Sequence, residues 1–420
     1  MLANLRKLDL KQIEEIADVT DGIHSSIDYD DNSKINLISA TSPRENFFDL
    51  SRNAHISAIA HKQNPRTALR ENDVIISTVG TIGNCAVVDA SVLPANSDRH
   101  VGIIRISNGY SPYMLSTFLL SKYGRMQTSR ETTGNVQPNL FIYKLKQLLV
   151  PFFSDDFQSS VERQVKSAHK KLADAKRLYA DAERLLLDSL GLLGWEPKNE
   201  AVSIRRFSDF TASGRLDAEY YQPKYDEIEA KIKSYKDGYM TIGECFEQNR
   251  DLNGFQKDAY NYIEIGDVDT GIGSVSYNMV ESENLPDNAK IVLKKGDLLV
   301  SKVRPYRGAV AIIDFDEDDL IASGAFTVLR EKSLYRKEVL QVLLRTSMYK
   351  MWLLKWNVGT SYPVIKDDDI LNLPIPKIDT GTQNKIAENI RASFALRAES
   401  RALLDEAKRR VEEAIEHGEK

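Results

Sequence analysis

Short aliphatic and β-branched runs alternate along the chain with longer amphipathic stretches. Six of these runs have the composition of buried β-strands: VIIS (74–77), CAVV (85–88), VGIIRI (101–106), DLLVS (297–301), AVAII (309–313) and FTVLR (326–330). Each set of three is followed by a stretch of helical periodicity, at 113–127 and at 338–356. The pattern predicts two strand-rich globular units. We interpret the apolar stripes, including Trp352 and Trp356, as core.

An internal repeat explains why the two sets look alike. The segment 133–153 aligns without a gap on 358–378, and the same offset of 225 residues places Gln158 on Gln383. Upstream, 71–89 resembles 295–314 with one residue inserted. The chain is therefore predicted to be a tandem duplication, in which each globular unit is followed by a long helix.

Two long helices are predicted at equivalent places in the repeat. The sequence fits a capping box at two places, Asp155 with Gln158 and Thr380 with Gln383. In each, an N-cap residue is followed three positions later by a side chain that can accept a hydrogen bond from the N-cap N–H. Apolar positions near heptad spacing follow: Val161, Val165, Ala168, Leu172, Ala175, Ala182, Leu186 and Leu190, then Ile386, Ile390, Leu403, Ala407, Val411 and Ile415. Gly191, Gly194 and Pro197 end the first helix, so that 155–190 would span about 54 Å at ~1.5 Å per residue.

The connectivity predicts how these stripes are used. If the two helices pack antiparallel, the globular units lie at opposite ends, related by an approximate two-fold axis, as in a DNA-binding dimer. A hairpin that acts only as a rigid spacer or as a homodimer contact is the alternative. The expected fold class is α+β, with two mixed α/β domains in a tandem pseudo-repeat, separated by two long antiparallel coiled-coil helices. The predicted boundaries are 1–154, 155–195, 196–379 and 380–420.

Composition narrows the class of protein. The 420 residues, 42% of them hydrophobic, suit two or three globular domains. Cys85 and Cys245 are the only cysteines and form no CxxC pair, so neither a disulfide framework nor a zinc site is expected. Charges interrupt every apolar run before membrane-spanning length. We therefore expect a cytoplasmic protein.

Charge is segregated along the chain. The net charge is −5, but residues 34–146 hold 13 basic and 7 acidic side chains, and residues 290–366 hold 14 basic and 8 acidic, so each window carries +6. Positive local potential favours contact with a polyanion such as DNA. An unevenly charged, solvated surface is the alternative interpretation.

Three segments carry a family resemblance: GDLLVSKVRPYRGAVAII (296–313), YPVIKDDDILNLPIPKI (362–378) and SGRLDAEYYQPKYDEIEAKI (213–232). Together with the order of domains and helices over nearly the whole chain, they resemble the specificity subunits of Type I restriction-modification enzymes. The resemblance implies that the two globular units are target-recognition domains, each reading one half of a split DNA target. It also implies double-stranded DNA and two adenine methyltransferase subunits as partners, with two motor-nuclease subunits optional.

The chain itself is expected to catalyse nothing and to need no cofactor. It contains no [DNS]PP[YFW] methyltransferase motif, no GxxxxGK[ST] phosphate loop and no HExxH metal motif. Three alternatives stay open: a Type II system with a fused nuclease-methyltransferase partner, a self-contained nuclease or methyltransferase with unfamiliar motifs, and a coiled-coil interaction protein without DNA affinity.

Candidate DNA-binding residues lie in polar loops between the predicted strands. Arg suits guanine, Asn and Gln suit adenine, and any cation suits phosphate. The candidates in the first domain are Thr78, Thr81, Asn84, Arg125, Arg130, Asn135, Gln137 and Asn139. Those in the second are Lys302, Arg304, Tyr306, Arg307, Asn357, Thr360, Ser361 and Tyr362. Pro305 is expected to hold its loop extended. For any single residue, structural hydrogen bonding is the competing interpretation.

No catalytic or ligand-binding role is assigned to the other polar features of the sequence. Gly80, Gly83 and Gly308 are interpreted as turn residues, because no βαβ unit surrounds TVGTIG to make it a nucleotide cradle. The six histidines are scattered, and none is proposed as a general base or a metal ligand.

Overall fold

The computed structural model of the chain forms two compact units, each with its own core. The first unit contains Met1–Ala173 and Arg397–Lys420, and the second contains Asp174–Leu396. The structure describes residues 5, 8–51, 53–107, 109–134, 138–198, 200, 202–252, 254, 256–332, 334–359 and 362–419. None of the helices in these ranges has the length and apolar character needed to cross a bilayer.

The first unit combines three sheets with short helices. Its strands are β1 (Leu10–Gln12), β2 (Ala17–Asp21), β3 (Ile35–Ile38), β4 (Ala54–Ile56), β5 (Val74–Ser77), β6 (Cys85–Val87), β7 (Ala95–Ser97), β8 (Val101–Ile106) and β9 (Leu149–Pro151). Its helices are α1 (Ile13–Ile16), α2 (Ala58–Gln63), α3 (Pro112–Leu120), α4 (Lys122–Glu131) and α5 (Ile142–Lys146). An antiparallel sheet has the order β2-β8-β5-β6, a mixed sheet has the order β4-β3-β7, and β1 pairs with β9.

The long helix α6 (Asp155–Ser189) leads to the second unit, and α13 (Thr380–His417) ends the chain. The helices between them are α7 (Phe207–Ser213), α8 (Pro223–Lys233), α9 (Ile242–Cys245), α10 (Lys337–Arg345), α11 (Ser347–Trp352) and α12 (Asp367–Leu371). The strands are β10 (Tyr239–Thr241), β11 (Phe246–Gln248), β12 (Ala259–Ile263), β13 (Asn278–Glu281), β14 (Ala289–Val292), β15 (Leu298–Ser301), β16 (Val310–Ile312), β17 (Leu320–Ser323), β18 (Phe326–Glu331) and β19 (Pro374–Pro376). They form sheets of order β11-β18-β15-β16, β13-β12-β17-β14 and β10-β19.

The two units share the topology of their main sheets, which confirms the duplication. The four-stranded sheets that contain the predicted runs match strand for strand. Ile75 pairs with Ala86 in the β5–β6 hairpin, and Leu299 pairs with Ala311 at the equivalent place in the β15–β16 hairpin. The smaller mixed sheet was not predicted, because strands such as INLI, AHI and ANS are short and carry polar residues.

Each predicted helical stretch is two helices. The hydroxyl of Ser121, between α3 and α4, accepts a hydrogen bond from the N–H of Gly124 at 3.4 Å. Thr346 stands between α10 and α11 and accepts from the N–H of Tyr349 at 3.3 Å. Local capping by one hydroxyl group therefore redirects the chain without interrupting the apolar pattern.

The interpretation of the tryptophans as core is confirmed. Trp352 is fully buried, with its ring centroid 5.5 Å from Tyr349 and 5.9 Å from Trp356, which is partly buried against the same core. The neighbours of Trp352 in this cluster include α10 and the strands β15 and β16. The second unit is therefore packed around the helices that follow its main sheet.

The long helices pair antiparallel within each unit. In the first unit, the Ser400 hydroxyl donates to the carbonyl of Ala168 at 2.8 Å, while Arg410, further along α13, donates to Ser160. In the second unit, Ser393 donates to Ala175 at 2.7 Å. Small side chains seven residues apart let the helix backbones approach closely enough for a serine hydroxyl to reach the facing carbonyl. The predicted α+β class with tandem mixed units and antiparallel long helices is thus confirmed.

The predicted capping boxes are wrong by one residue. The N-caps are Ser154, which accepts from the N–H of Phe157 at 3.3 Å, and Asp379, which accepts from the N–H of Thr382 at 2.9 Å. Gln158 is buried and accepts instead from the N–H of Ser111, before α3, at 2.8 Å. Gln383 makes the equivalent bond with the N–H of Arg336, before α10, at 2.8 Å. Each glutamine therefore fastens a long helix to its own unit.

The predicted apolar stripes need a smaller correction. Leu172 and Leu403 are only partly buried, and Leu404 takes the buried position on α13. The predicted end of α6 is confirmed: Gly191 has φ +61°, and the N–H of Leu192 donates to the carbonyl of Leu187 at 2.8 Å.

Candidate nucleic-acid interface

Each unit places two candidate loops side by side. The first is the turn of the central hairpin, residues 78–84 between β5 and β6 and residues 302–309 between β15 and β16; we call these the hairpin turns. The second, the proline loop, comprises 133–140 in the first unit and 357–365 in the second. Asn135, Gln137, Thr360 and Ser361 lie outside the described residues.

Equivalent backbone contacts join the two loops in both units. In the first unit, the N–H of Leu140 donates to the carbonyl of Thr78 at 2.9 Å, and Val79 forms a β-bridge with Asn139. In the second unit, the N–H of Ile365 donates to the carbonyl of Lys302 at 3.0 Å, and Val303 forms a β-bridge with Val364. The loops that sequence analysis selected separately therefore form one surface per unit.

A basic side chain lies beneath each hairpin turn. Gly83 (φ +82°) and Gly308 (φ +69°) are repeat equivalents that need positive φ. A Cβ atom at Gly83 would lie 3.1 Å from Nη1 of Arg125, and a Cβ atom at Gly308 would lie 2.9 Å from Cδ of Lys350. Sequence analysis missed Lys350, although the offset of 225 places it on Arg125.

The turn of the second unit contains a strained arginine. Arg304 has φ +50°, a left-handed conformation that is costly for a residue with a Cβ atom, and its equivalent in the first unit is Gly80 at φ +70°. The N–H of Arg304 donates to the carbonyl of Pro363 at 2.7 Å, and its guanidinium lies 4.8 Å from the ring centroid of Tyr362. The contact between the loops thus holds both the backbone and the side chain of Arg304.

The prediction that Pro305 keeps this turn extended is wrong. Pro305–Arg307 forms a single 3₁₀ turn, and Pro305 is buried. The tight turn leaves Tyr306 and Arg307 exposed at its tip. Within the described part of the chain, the Arg307 side chain forms no hydrogen bond or ion pair. Its guanidinium is available to an external acceptor.

The other candidate side chains of the second unit differ in whether they are bonded within the unit or free to contact DNA. Lys302 forms an ion pair with Asp367 at 3.1 Å. The side-chain oxygen of Asn357 accepts from the N–H groups of Gly359 and Val364 at 2.9 and 3.0 Å, so this residue organises the proline loop. Tyr362 is 51% exposed. Among the described candidates of this unit, Tyr306, Arg307 and Tyr362 are exposed, and Arg304 is partly exposed.

Most candidate residues of the first unit are uncharged, and several of them are buried or form hydrogen bonds within the unit. Thr78 is buried, Thr81 donates to the carbonyl of Ala40 at 2.9 Å, and Asn139 exchanges backbone hydrogen bonds with Thr133. The side-chain oxygen of Asn84 accepts from Arg125 at 2.7 Å. These internal hydrogen bonds hold the hairpin turn of the first unit. Thr81 is the exposed polar residue of that turn.

Arg130 lies outside both loops of the first unit. It lies on α4 and is paired with Glu131 at 2.9 Å. With Lys122, Arg125, Met126, Gln127 and Ser129 it lines an open concavity of about 550 Å³. No described hydrogen bond or ion pair joins Arg130 to the hairpin turn.

The described residues show no arrangement of three or more His, Cys, Asp or Glu side chains that could hold a metal ion. Burial raises the pKa of Cys85 to about 12 and that of Cys245 to about 11. Both thiols are therefore protonated at neutral pH and are poor nucleophiles. The groups assembled at the paired loops are guanidinium, amide, hydroxyl and aromatic groups, which suit hydrogen bonding and stacking with nucleic acid.

Comparison with known proteins gives a curated relative and several solved structures that are similar to this chain. No protein-family model matches the chain. A stretch of 112 residues is 33% identical to the Type I restriction enzyme HindI specificity subunit of Haemophilus influenzae and covers 26% of this chain and 24% of that protein. The chain therefore matches about a quarter of the length of this curated relative.

Solved structures of similar proteins align over most of the chain. The Type I restriction-modification S subunit from M. genitalium aligns over 97% of this chain and 95% of its own, at 12% identity and a TM-score of 0.47. The HsdS subunit from Thermoanaerobacter tengcongensis aligns over 98% and 97%, at 14% identity and a TM-score of 0.31.

Proposed function

We propose that this chain is the non-catalytic DNA-recognition subunit of a Type I restriction-modification complex and reads a bipartite target, one half-site with each unit. The observation that carries the proposal is the repeated pairing of a hairpin turn with a proline loop. A duplicated reader needs the same surface twice with different side chains, and this chain has that arrangement. The stretch similar to the HindI specificity subunit supports the same function.

The two surfaces differ in chemistry, so the two half-sites should differ in sequence. The hairpin turn of the second unit carries Arg304 and Arg307, whose planar donors suit the acceptors on the major-groove edge of guanine. The first unit presents Thr81, an uncharged group, at the same place. We propose an asymmetric target in which the second unit reads the guanine-containing half.

The catalytic activities belong, in this proposal, to partner proteins. Two methyltransferase subunits would transfer a methyl group to adenine, and two motor-nuclease subunits would complete a restricting complex. The similarity to a Type I specificity subunit supports such partners. Co-purification from the native host, followed by identification of the bound proteins, distinguishes this assembly from a fused nuclease-methyltransferase partner.

The proposed function is tested by selecting binding sites from a pool of random double-stranded DNA. The full chain, with the proteins that co-purify with it, should enrich two short unlike sequences separated by a fixed number of unspecified base pairs. Enrichment of a single continuous motif, or none above a matched protein that does not bind DNA, would contradict the proposal.

Arg304→Gly separates recognition from stability. We expect it to weaken binding to one half-site by about 1–3 kcal/mol, because the guanidinium is lost. Glycine adopts positive φ without strain, so the free energy of unfolding should stay the same or rise by about 1 kcal/mol. Competitive DNA titration and urea denaturation measure the two effects.

Arg304→Lys is the matched control, because it keeps the charge and loses the planar fork. If Arg304 contacts a base, the lysine variant should also relax the half-site. If it contacts phosphate, lysine should largely restore affinity. Unchanged affinity and unchanged site preference in both variants would exclude this turn from the interface.

A further inference from the structure

We propose that Arg215 is a positioning residue that holds the proline loop of the second unit in its DNA-binding conformation. The inference rests on the proposed function and assigns a role to the segment RLDAEYY (215–221), which precedes the repeated part of the unit. This segment supplies no residue to the hairpin turn or to the proline loop.

Arg215 is held rigidly by its own neighbours. Its Nε and Nη2 atoms donate to the two carboxylate oxygens of Asp217, both at 2.7 Å. The guanidinium also lies 4.8 Å from the ring centroid of Tyr220. The hydrogen bond to Arg215 lowers the pKa of Asp217, so the pair is ionised at neutral pH. A two-point ion pair beside an aromatic ring fixes the orientation of the planar guanidinium.

The same guanidinium reaches the proline loop. Nη2 of Arg215 donates to the backbone carbonyl of Asn357 at 2.6 Å. Asn357 begins the loop and, through its side-chain oxygen, accepts from the N–H groups of Gly359 and Val364. Arg215 therefore fixes a residue whose side chain connects an early part of the loop, at Gly359, with a late part, at Val364.

The last residues of the proline loop contact Arg304 and its neighbour in the hairpin turn. Val364 forms the β-bridge with Val303, and the carbonyl of Pro363 accepts from the N–H of Arg304 at 2.7 Å. Tyr362 lies against the guanidinium of Arg304. A continuous series of polar contacts thus runs from Asp217 through Arg215 and the proline loop to the strained arginine of the hairpin turn.

A second arginine in the segment has similar chemistry without this connection. Arg205 donates to the carbonyl of Tyr221 at 2.8 Å, forms an ion pair with Asp226 and lies 5.7 Å from the ring centroid of Tyr221. No bond from Arg205 to the proline loop is recorded in the described part of the chain. Arg205 therefore serves as a matched control for local stability.

The test compares Arg215→Lys with Arg205→Lys in the full chain and its co-purifying proteins. The half-site of the second unit is first identified as the one that Arg304→Gly alters. Arg215→Lys should lower discrimination at that half-site about tenfold, because a charged hydrogen bond that fixes the loop is lost. Discrimination at the other half-site and the salt dependence of binding should not change. Arg205→Lys should leave both half-sites unchanged.

Asp217→Asn tests the same inference without removing the arginine. It should shift discrimination in the same direction, because the guanidinium loses its ionised partner. Arg215→Lys combined with Asn357→Ala should lose less than the sum of the single effects, because both act on one loop. Additive effects, equal losses at both half-sites, or an Arg205→Lys effect equal to that of Arg215→Lys would overturn the inference.

The outcome also separates this inference from the proposed function. If Arg304→Gly and Arg307→Ala leave sequence preference unchanged, the second unit does not read DNA through this surface and the proposed function loses its support. If those two variants relax one half-site while Arg215→Lys and Asp217→Asn do not, only the role of Arg215 is rejected.

Discussion

Trp352→Ala is expected to destabilise the second unit by about 3–5 kcal/mol, the usual loss for truncating a buried tryptophan. Trp352 is the largest of the fully buried side chains and contacts both Tyr349 and Trp356. Removing it leaves a cavity in the core that joins α11 to the main sheet. Hydrogen exchange should show faster exchange in β15, β16 and β18, with the equivalent strands of the first unit still protected.

Trp352→Phe is the control for this cavity. The indole Nε1 of Trp352 is buried and has no hydrogen-bond partner among the described residues, so phenylalanine removes an unsatisfied polar group together with part of the ring. We expect a loss of only about 1–2 kcal/mol. Equal losses for the two variants, or faster exchange in both units alike, would contradict this account of the core.

Lengthening both long helices by one heptad is expected to add about three unspecified base pairs between the proposed half-sites. We propose that the length of these helices sets the spacing of the target. A heptad adds about 10.5 Å at ~1.5 Å per residue, and base pairs stack at ~3.4 Å. One heptad is inserted in α6 between Ala168 and Ala175, and one in α13 between Ser393 and Ser400. These positions keep both serine–alanine hydrogen bonds and the phase of both apolar stripes.

The control inserts a heptad in α6 alone. It should weaken folding, because residues beyond the insertion would meet the wrong partners on α13. Site selection from random DNA is the measurement for both variants. The paired insertion should return the same two half-site sequences at a larger separation. Altered half-sites at an unchanged separation would mean that the helices do not set the spacing.

The strands and the repeat could be predicted because their signals are local and occur twice. The run VIIS at β5 and its equivalent at β15 are continuous β-branched or aliphatic segments, and the constant offset fixes the order of elements around them. The proximity of the hairpin turn and the proline loop could not be predicted in this way, because backbone contacts between segments more than 50 residues apart create it. The same offset could have identified Lys350 from Arg125.

The exposure of individual polar side chains could not be predicted. Asn84 and Asn357 look in the sequence like amides available to adenine, yet Arg125 holds the first and the second binds its own loop. Arg125 lies 41 residues from Asn84, and no local pattern marks that pair. The same applies to Gln158, whose partner Ser111 comes 47 residues earlier in the chain and turned an expected cap into a tertiary contact.

Gly80 and Arg304, at equivalent places in the duplicated turn, share a positive φ angle. Both copies keep the left-handed position, so the backbone shape was present in the single unit that was duplicated. Glycine is the residue that such a position accepts most readily, so the arginine copy bears a conformational cost that the glycine copy does not. The two copies of the turn thus differ in charge at one shared backbone position. The copies also differ by one residue in the length of this turn, so the shared left-handed position is compatible with a change of both side chain and loop length.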